Sequence, residues 1–304
     1  MAKKSIDLRV KIGGICFDTP IIPASGVFGY GDELIDTIDY RFLGAIVTKT
    51  LTWNETHGNV PPRIWELENG IINRIGLQNI GVKRFCKEKL SKLAETGKPV
   101  IVSVGGEKLD DIAKSIEFLD NQQSITGFEL NLSCPNIKTN QIIAEDLDSI
   151  YKAVKKIRKL TDKTLIAKLS PNVTDICEIG IAAEKAGADI LCAGNTFKGV
   201  HYDWQLERFY TGGVSGSMIF PMACKNVFEL YKKVSIPIIG LGGINSEKKA
   251  IEMVFAGASI VGLGTHLVIM PDLPAKIYRF FIEYLKQSKK SKISSIVGIK
   301  NEKE

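Results

Sequence analysis

Cys134 stands in the run Asn131-Leu132-Ser133-Cys134-Pro135-Asn136, a thiol ringed by amides and a hydroxyl on a segment that proline keeps out of regular structure. That is the setting of a reactive thiol or a base. The other cysteines, Cys16, Cys86, Cys177, Cys192 and Cys224, read as small buried hydrophobes. No histidine adjoins Cys134, which argues against a papain-like protease. Lys49 and Lys168 each close an apolar run. A lysine so placed is costly to desolvate unless it meets an anion, either a protein carboxylate or a group on a ligand. Gly242-Gly243 and Gly264-Thr265 follow two further apolar runs. Their bare N–H groups and hydroxyl suit a phosphate, although each alone is equally the glycine of a tight turn.

These residues need a frame that gathers them. Short apolar, β-branched runs recur at 20–24, 44–48, 99–104, 127–132, 164–169, 188–193, 236–240 and 259–263. Helix-like segments alternate with them at 31–39, 80–93, 109–121, 145–160, 173–186, 220–234, 246–255 and 273–285. Near-continuous apolar strands belong to a parallel sheet covered on both faces, and strand–helix alternation implies right-handed βαβ units. Eight such units predict an α/β fold, a (β/α)₈ TIM barrel, with a doubly wound open sheet as the alternative. An N-terminal hairpin at 10–17 around Gly13-Gly14 and long active-site loops take up the surplus length. Glycines in Ala186-Gly187-Ala188 and Ala256-Gly257-Ala258 are expected to stop helices in the left-handed conformation.

In a barrel the active site gathers at the C-terminal ends of the strands. That rim would hold Ser25, Lys49, Thr50, Ser103, Asn131, Cys134, Lys168, Gly194, Asn195, Thr196, Gly242, Gly243, Gly264 and Thr265. The two glycine pairs follow the last two strands, the usual phosphate position. The lysines would face a substrate carboxylate or the ring of a reduced, anionic flavin.

The chain has 304 residues, 44% hydrophobic and 24% charged, which excludes a disordered chain, a collagen and a coiled coil. It reads as one domain, 1–304, without a linker. Its net charge of +6 is concentrated at the ends. Residues 286–304 hold six lysines against Glu302 and Glu304, and residues 1–11 hold four cations against Asp7. Both ends read as solvated, frayed tails around a near-neutral body, so no nucleic-acid partner is expected. No apolar run is long enough to span a membrane, no signal peptide is expected at 1–14, and the cysteines form no CxxC pair. The reading is a cytoplasmic protein with reduced thiols and no metal site.

Four motifs together resemble the dihydroorotate dehydrogenases, class 1, B-type catalytic subunit. They are Pro20-Ile21-Ile22-Pro23-Ala24-Ser25-Gly26, Asn73-Arg74-Ile75-Gly76-Leu77-Gln78-Asn79, the Cys134 run, and Lys168-Leu169-Ser170-Pro171-Asn172. The similarity runs from about Val10 to Leu285. It implies an FMN-binding barrel that oxidises dihydroorotate to orotate in pyrimidine biosynthesis, with Cys134 taking the C5 proton and the C6 hydride passing to the flavin. It implies substrate contacts from Lys49, Asn73, Arg74, Ile75, Gly76, Leu77, Asn131, Asn195 and Thr196. It implies FMN contacts from Ser25, Lys49, Thr50, Ser103, Asn131, Lys168, Gly194, Gly216, Gly242, Gly243, Gly264 and Thr265. The resemblance further implies a homodimer and a partner subunit with FAD and a [2Fe-2S] cluster that leads to NAD⁺. This chain itself has neither cluster-spaced cysteines nor a GxGxxG motif after its first strand. The alternative within the same chemistry is an FMN-dependent dihydropyrimidine dehydrogenase acting on uracil- or thymine-type rings. A tRNA-acting flavoenzyme would need a basic face, and a non-catalytic flavin scaffold would not need Cys134, Lys49 and Lys168 together.

The sequence departs from the family pattern in three places. Ser103 replaces an asparagine, which shortens or removes one flavin contact. Asn140-Gln141 replaces a glycine pair in the loop after Cys134. Ser217 and Phe220 stand where a proline and a lysine are usual.

Overall fold

In the computed structural model, which describes residues 6–132 and 143–299, eight parallel strands form one sheet. In chain order they are Ile21–Pro23, Ile46–Val47, Val100–Gly105, Ile125–Asn131, Thr164–Leu169, Ile190–Ala193, Ile238–Leu241 and Ile260–Leu263. Every neighbouring pair from the second strand through to the eighth is parallel, and the eighth returns to pair with the first. Gly44 N donates to Ile21 O at 2.7 Å beside the remaining seam, so the sheet is nearly closed as a barrel. The expected TIM barrel is therefore present, and the open sheet is not.

The third, fifth, sixth, seventh and eighth strands are buried along their whole length because helices cover the outer face and side chains fill the inside. Phe128, Leu130, Leu165, Ala167, Leu191 and Val261 are fully buried in the resulting core. Local signals set the helix ends. Asp146, Asp175 and Ser246 cap Leu147–Arg158, Ile176–Lys185 and Glu247–Ala256 through backbone N–H groups in the first turn. Gly187 and Gly257 adopt φ of 103° and 125°, as expected of the residues that end helices there. The hairpin Val10–Ile12 with Ile15–Phe17 turns on Gly13 and Gly14, both at positive φ.

Four expectations need correction. The segment 31–39 forms turns rather than a helix. Glu33 takes hydrogen bonds from the Tyr30 and Gly31 amides, and the single helical turn Tyr40–Phe42 is all that follows. The helix expected at 80–93 breaks at Lys89 into Gly81–Glu88 and Leu90–Glu95. The long loops fold into a four-stranded antiparallel sheet, Ile64–Leu67, Gly70–Asn73, Phe197–Asp203 and Arg208–Gly216. Lastly, the ends are docked through residues 6–12 and 286–299. Asp7 N donates to Ser291 O at 2.8 Å, and Ile293 and Ile296 are buried beneath that contact. The charges seen in the sequence hid two apolar anchors.

Candidate active site

The fourth and fifth barrel strands set the centre of the site. Strand alternation puts Glu129 and Asn131 on one face of Ile125–Asn131, and the register aligns Asn131 with Lys168. Lys168 is 4% exposed, and its ammonium donates to Ser25 Oγ at 2.7 Å. It also lies 3.5 Å from Glu129 Oε1, so the anion it meets within the protein is a carboxylate. Glu129 Oε1 accepts from Ser103 Oγ at 2.9 Å, and Ser103 Oγ is 3.0 Å from Thr50 Oγ1. Asn131 Nδ2 donates to Thr50 Oγ1 at 2.9 Å, and Asn195 Nδ2 to Asn131 Oδ1 at 3.4 Å. Asn195 Oδ1 in turn accepts from the Thr196 amide at 2.9 Å. A continuous polar chain thus runs from the first barrel strand to the loop after the sixth. The structure brings together Ser25, Thr50, Ser103, Asn131, Lys168, Asn195 and Thr196.

Lys49 follows the second strand and is half-buried, its ammonium 5.9 Å from the Tyr30 ring centre. Burial lowers its pKa from the ordinary lysine value, with the Glu33 charge opposing that shift and Arg63 adding to it. The added sheet delivers the 73–77 segment to the same face. Asn73 Nδ2 donates to Gly213 O at 3.1 Å, and a β-carbon on Gly213 would stand 2.1 Å from Thr196 Oγ1. Asn73 and Thr196 therefore converge on one glycine. Gly76 and Leu77 both take positive φ, 73° and 53°, which is strain for a leucine and turns the Ile75-Gly76-Leu77 backbone sharply. Arg74 lays its guanidinium 5.4 Å from the Tyr210 ring centre.

The glycines divide into two kinds. A β-carbon on Gly194, Gly216, Gly242 or Gly243 would collide with protein atoms, Leu241 O, Gly70 Cα, Ala223 Cβ and Phe220 N in turn. Gly264, at the end of the eighth strand, would meet nothing within 4 Å, and neither would Gly26 after the first. These two neighbouring strand ends face open space. Thr265 Oγ1 is 2.8 Å from Ser215 Oγ beside them. Backbone donors, hydroxyls and a buried lysine fit a flavin with a phosphate tail.

Cys134 and Asn140-Gln141 lie outside the described residues. Ala144 N donates to Leu132 O at 3.1 Å, so the chain on either side of that stretch is joined. Among the other cysteines, Cys177 and Cys192 are buried as expected, but Cys86 and Cys224 are only half-buried and Cys16 is exposed. Cys16 points outward because strand alternation buries Ile15 and Phe17 on either side of it. Burial, with the neighbouring Glu129 charge adding, pushes the Cys192 thiol far up. Glu129 was not singled out from sequence. Its signal was a carboxylate two residues before Asn131, on the same face of an apolar strand.

A family model described as dihydroorotate dehydrogenase matches residues 7–285. The chain belongs to the dihydroorotate dehydrogenase family. This membership makes it an oxidoreductase of a flavin-binding family. Two relatives are 40% identical, one from Endomicrobium trichonymphae, covering 96% of each chain, and one from Carboxydothermus hydrogenoformans, covering 97% of each. A third, from Bacteroides fragilis, is 38% identical over 96% of this chain and 98% of its own. All three are named dihydroorotate dehydrogenase B (NAD(+)), catalytic subunit. Among the described residues of this dihydroorotate dehydrogenase relative, no helix is long and apolar enough to cross a membrane.

Proposed function

We propose that the chain is the FMN-bearing catalytic subunit of a dihydroorotate dehydrogenase, oxidising (S)-dihydroorotate to orotate in pyrimidine biosynthesis. The convergence of Lys49, Asn73, Asn131, Asn195 and Thr196 beside buried Lys168 carries this reading. Orotate is a planar, amide-rich carboxylate, and such a ring needs a cation together with several amide donors and acceptors. Lys49 is the cation for the carboxylate. Asn73, Asn131, Asn195 and Thr196 hold the ring edge, with the Ile75-Gly76-Leu77 backbone and Arg74 beside them.

FMN, when bound, supplies the acceptor for the C6 hydride. Ser25, Thr50, Asn131 and Lys168 would hold its ring, with buried Ser103 behind them bonded to Thr50 and Glu129, and Lys168 would favour negative charge there. Gly194, Gly216, Gly242, Gly243, Gly264 and Thr265 shape its phosphate end, with Gly264 the position where backbone can approach the anion most freely. Cys134 removes the C5 proton as general base. A second subunit with FAD and a [2Fe-2S] cluster would supply the route from the flavin to NAD⁺, and the catalytic subunit would pair as a homodimer.

Anaerobic mixing of the purified protein with dihydroorotate tests the reading. The flavin absorbance bleaches, and denaturation releases FMN rather than FAD. Orotate binds ~10- to 150-fold more tightly than uracil, the worth of one charge-assisted contact. Equal affinity for the two would instead assign the chain to dihydropyrimidine oxidation. Cys134→Ala slows single-turnover flavin reduction by ~10²- to 10⁴-fold and leaves orotate binding in place.

A further inference from the structure

Glu129 occupies a layer of the barrel interior that branched apolar side chains ordinarily fill. It is 4% exposed. Two groups converge on its carboxylate. Ser103 Oγ donates at 2.9 Å, and the Lys168 ammonium lies at 3.5 Å. Stability alone does not account for this arrangement, because a well-packed apolar pair is often as stable as a buried ion pair. The ammonium of Lys168 is meanwhile held from the opposite side by Ser25 Oγ at 2.7 Å. It is tethered between the first and fourth strands, with a fixed negative charge on one flank.

We propose that Glu129 is a positioning residue, which fixes the Lys168 ammonium and sets how strongly that ammonium favours the reduced over the oxidised flavin. The inference rests on the proposed flavin site beside Lys168. A carboxylate a few ångströms from an ammonium in a low-dielectric interior offsets much of its field. The flavin therefore meets a lysine whose charge is partly cancelled. Ser103 decides how much, because its hydroxyl withdraws part of the carboxylate's charge into a hydrogen bond. The serine that stands in place of the family's asparagine thus reaches the flavin through Glu129.

The test is the midpoint potential of the bound flavin, read by anaerobic titration against a reference dye in wild type, Glu129→Gln and Ser103→Ala. Flavin occupancy is read first from absorbance. Wild-type protein that binds no flavin overturns the flavin site and this inference with it. In flavin-loaded Glu129→Gln the carboxylate's charge is gone while its shape remains. The reduced form then gains about tenfold over the oxidised form at a given potential, an upward shift of ~30 mV for a two-electron couple. Ser103→Ala keeps the charge and removes one bond to it, so the ratio moves the other way by about threefold. A purely structural role predicts no potential change in Glu129→Gln. An unchanged or lowered potential in that variant, with flavin bound, overturns the proposal. If Glu129→Gln does not retain flavin, Ser103→Ala decides: a lowered potential supports the proposal, and an unchanged or raised one overturns it.

Discussion

A β-carbon placed on Gly243 would stand 2.6 Å from the Phe220 amide nitrogen, at a backbone φ of 69°. The glycine after the seventh strand is therefore required by the start of the helix Phe220–Tyr231, whatever ligand lies beyond it. A valine there would disturb the protein before it disturbed a phosphate, so loss of flavin in such a variant has two causes that cannot be told apart.

Gly264 separates the two effects. An added β-carbon there meets no protein atom within 4 Å, but the backbone, at φ −97° and ψ −126°, lies outside the broad α and β regions. Gly264→Ala carries backbone strain but no clash, so it lowers stability less than Gly243→Ala does, and it weakens FMN binding. Gly243→Ala lowers stability by ~1–3 kcal/mol, the usual cost of overpacking. Thermal melts and FMN titrations on both variants check this. Undiminished FMN affinity in Gly264→Ala would remove that glycine from the phosphate site.

The Lys168–Glu129 pair, whose side chains are 5% and 6% exposed, makes a coupled stability prediction. Removing one partner leaves the other charge buried and unmatched, at a cost of ~3–5 kcal/mol. Glu129→Gln and Lys168→Met each destabilise by that order. The double variant loses clearly less than the sum of the two. Urea unfolding of the four proteins measures the coupling, and strict additivity would mean that the pair does not interact.

Orotate affinity falls at alkaline pH if Lys49 holds the carboxylate. Only the charged lysine attracts the anion, and burial lowers the Lys49 pKa from its ordinary value. The fall therefore begins at lower pH than a fully solvated lysine would give. Lys49→Met binds orotate ~10- to 150-fold more weakly at neutral pH and lacks that alkaline decline. Equilibrium binding across the alkaline range distinguishes the two proteins. A decline of the same size in Lys49→Met would assign it to another group.

Ile293 is fully buried beneath the contact between the two ends of the chain, whereas Ile299 is 46% exposed. Ile293→Ala costs ~2–5 kcal/mol, as a large-to-small change in a core does. Ile299→Ala stays within ~0.5 kcal/mol. Equal effects in chemical unfolding would show that the C-terminal segment does not dock in solution.

Much of the barrel was legible because its signals are local. Apolar runs of strand length, capping residues and helix-ending glycines each act within a few positions, so their order along the chain is enough to infer eight βα units. The rim followed from that order, since residues after successive strands share one end of the sheet. This places Ser25, Lys49, Asn131, Lys168 and Asn195 together before any contact is known. What the chain alone left open depends on groups distant in sequence. Gly70–Asn73 and Arg208–Gly216 each pair with a chain neighbour in a hairpin, but the pairing that joins the two hairpins into one sheet spans more than a hundred residues, and the sequence alone reads both as loops. Glu129 looked like one charge in an apolar run until the parallel register set it beside Ser103 and near Lys168. The C-terminal segment looked solvated because its lysines outnumber its isoleucines, and only the closed fold supplies the groove that buries Ile293 and Ile296. Composition and spacing determine which side chains are available. Register and closure, which join residues across the chain, determine which of them meet.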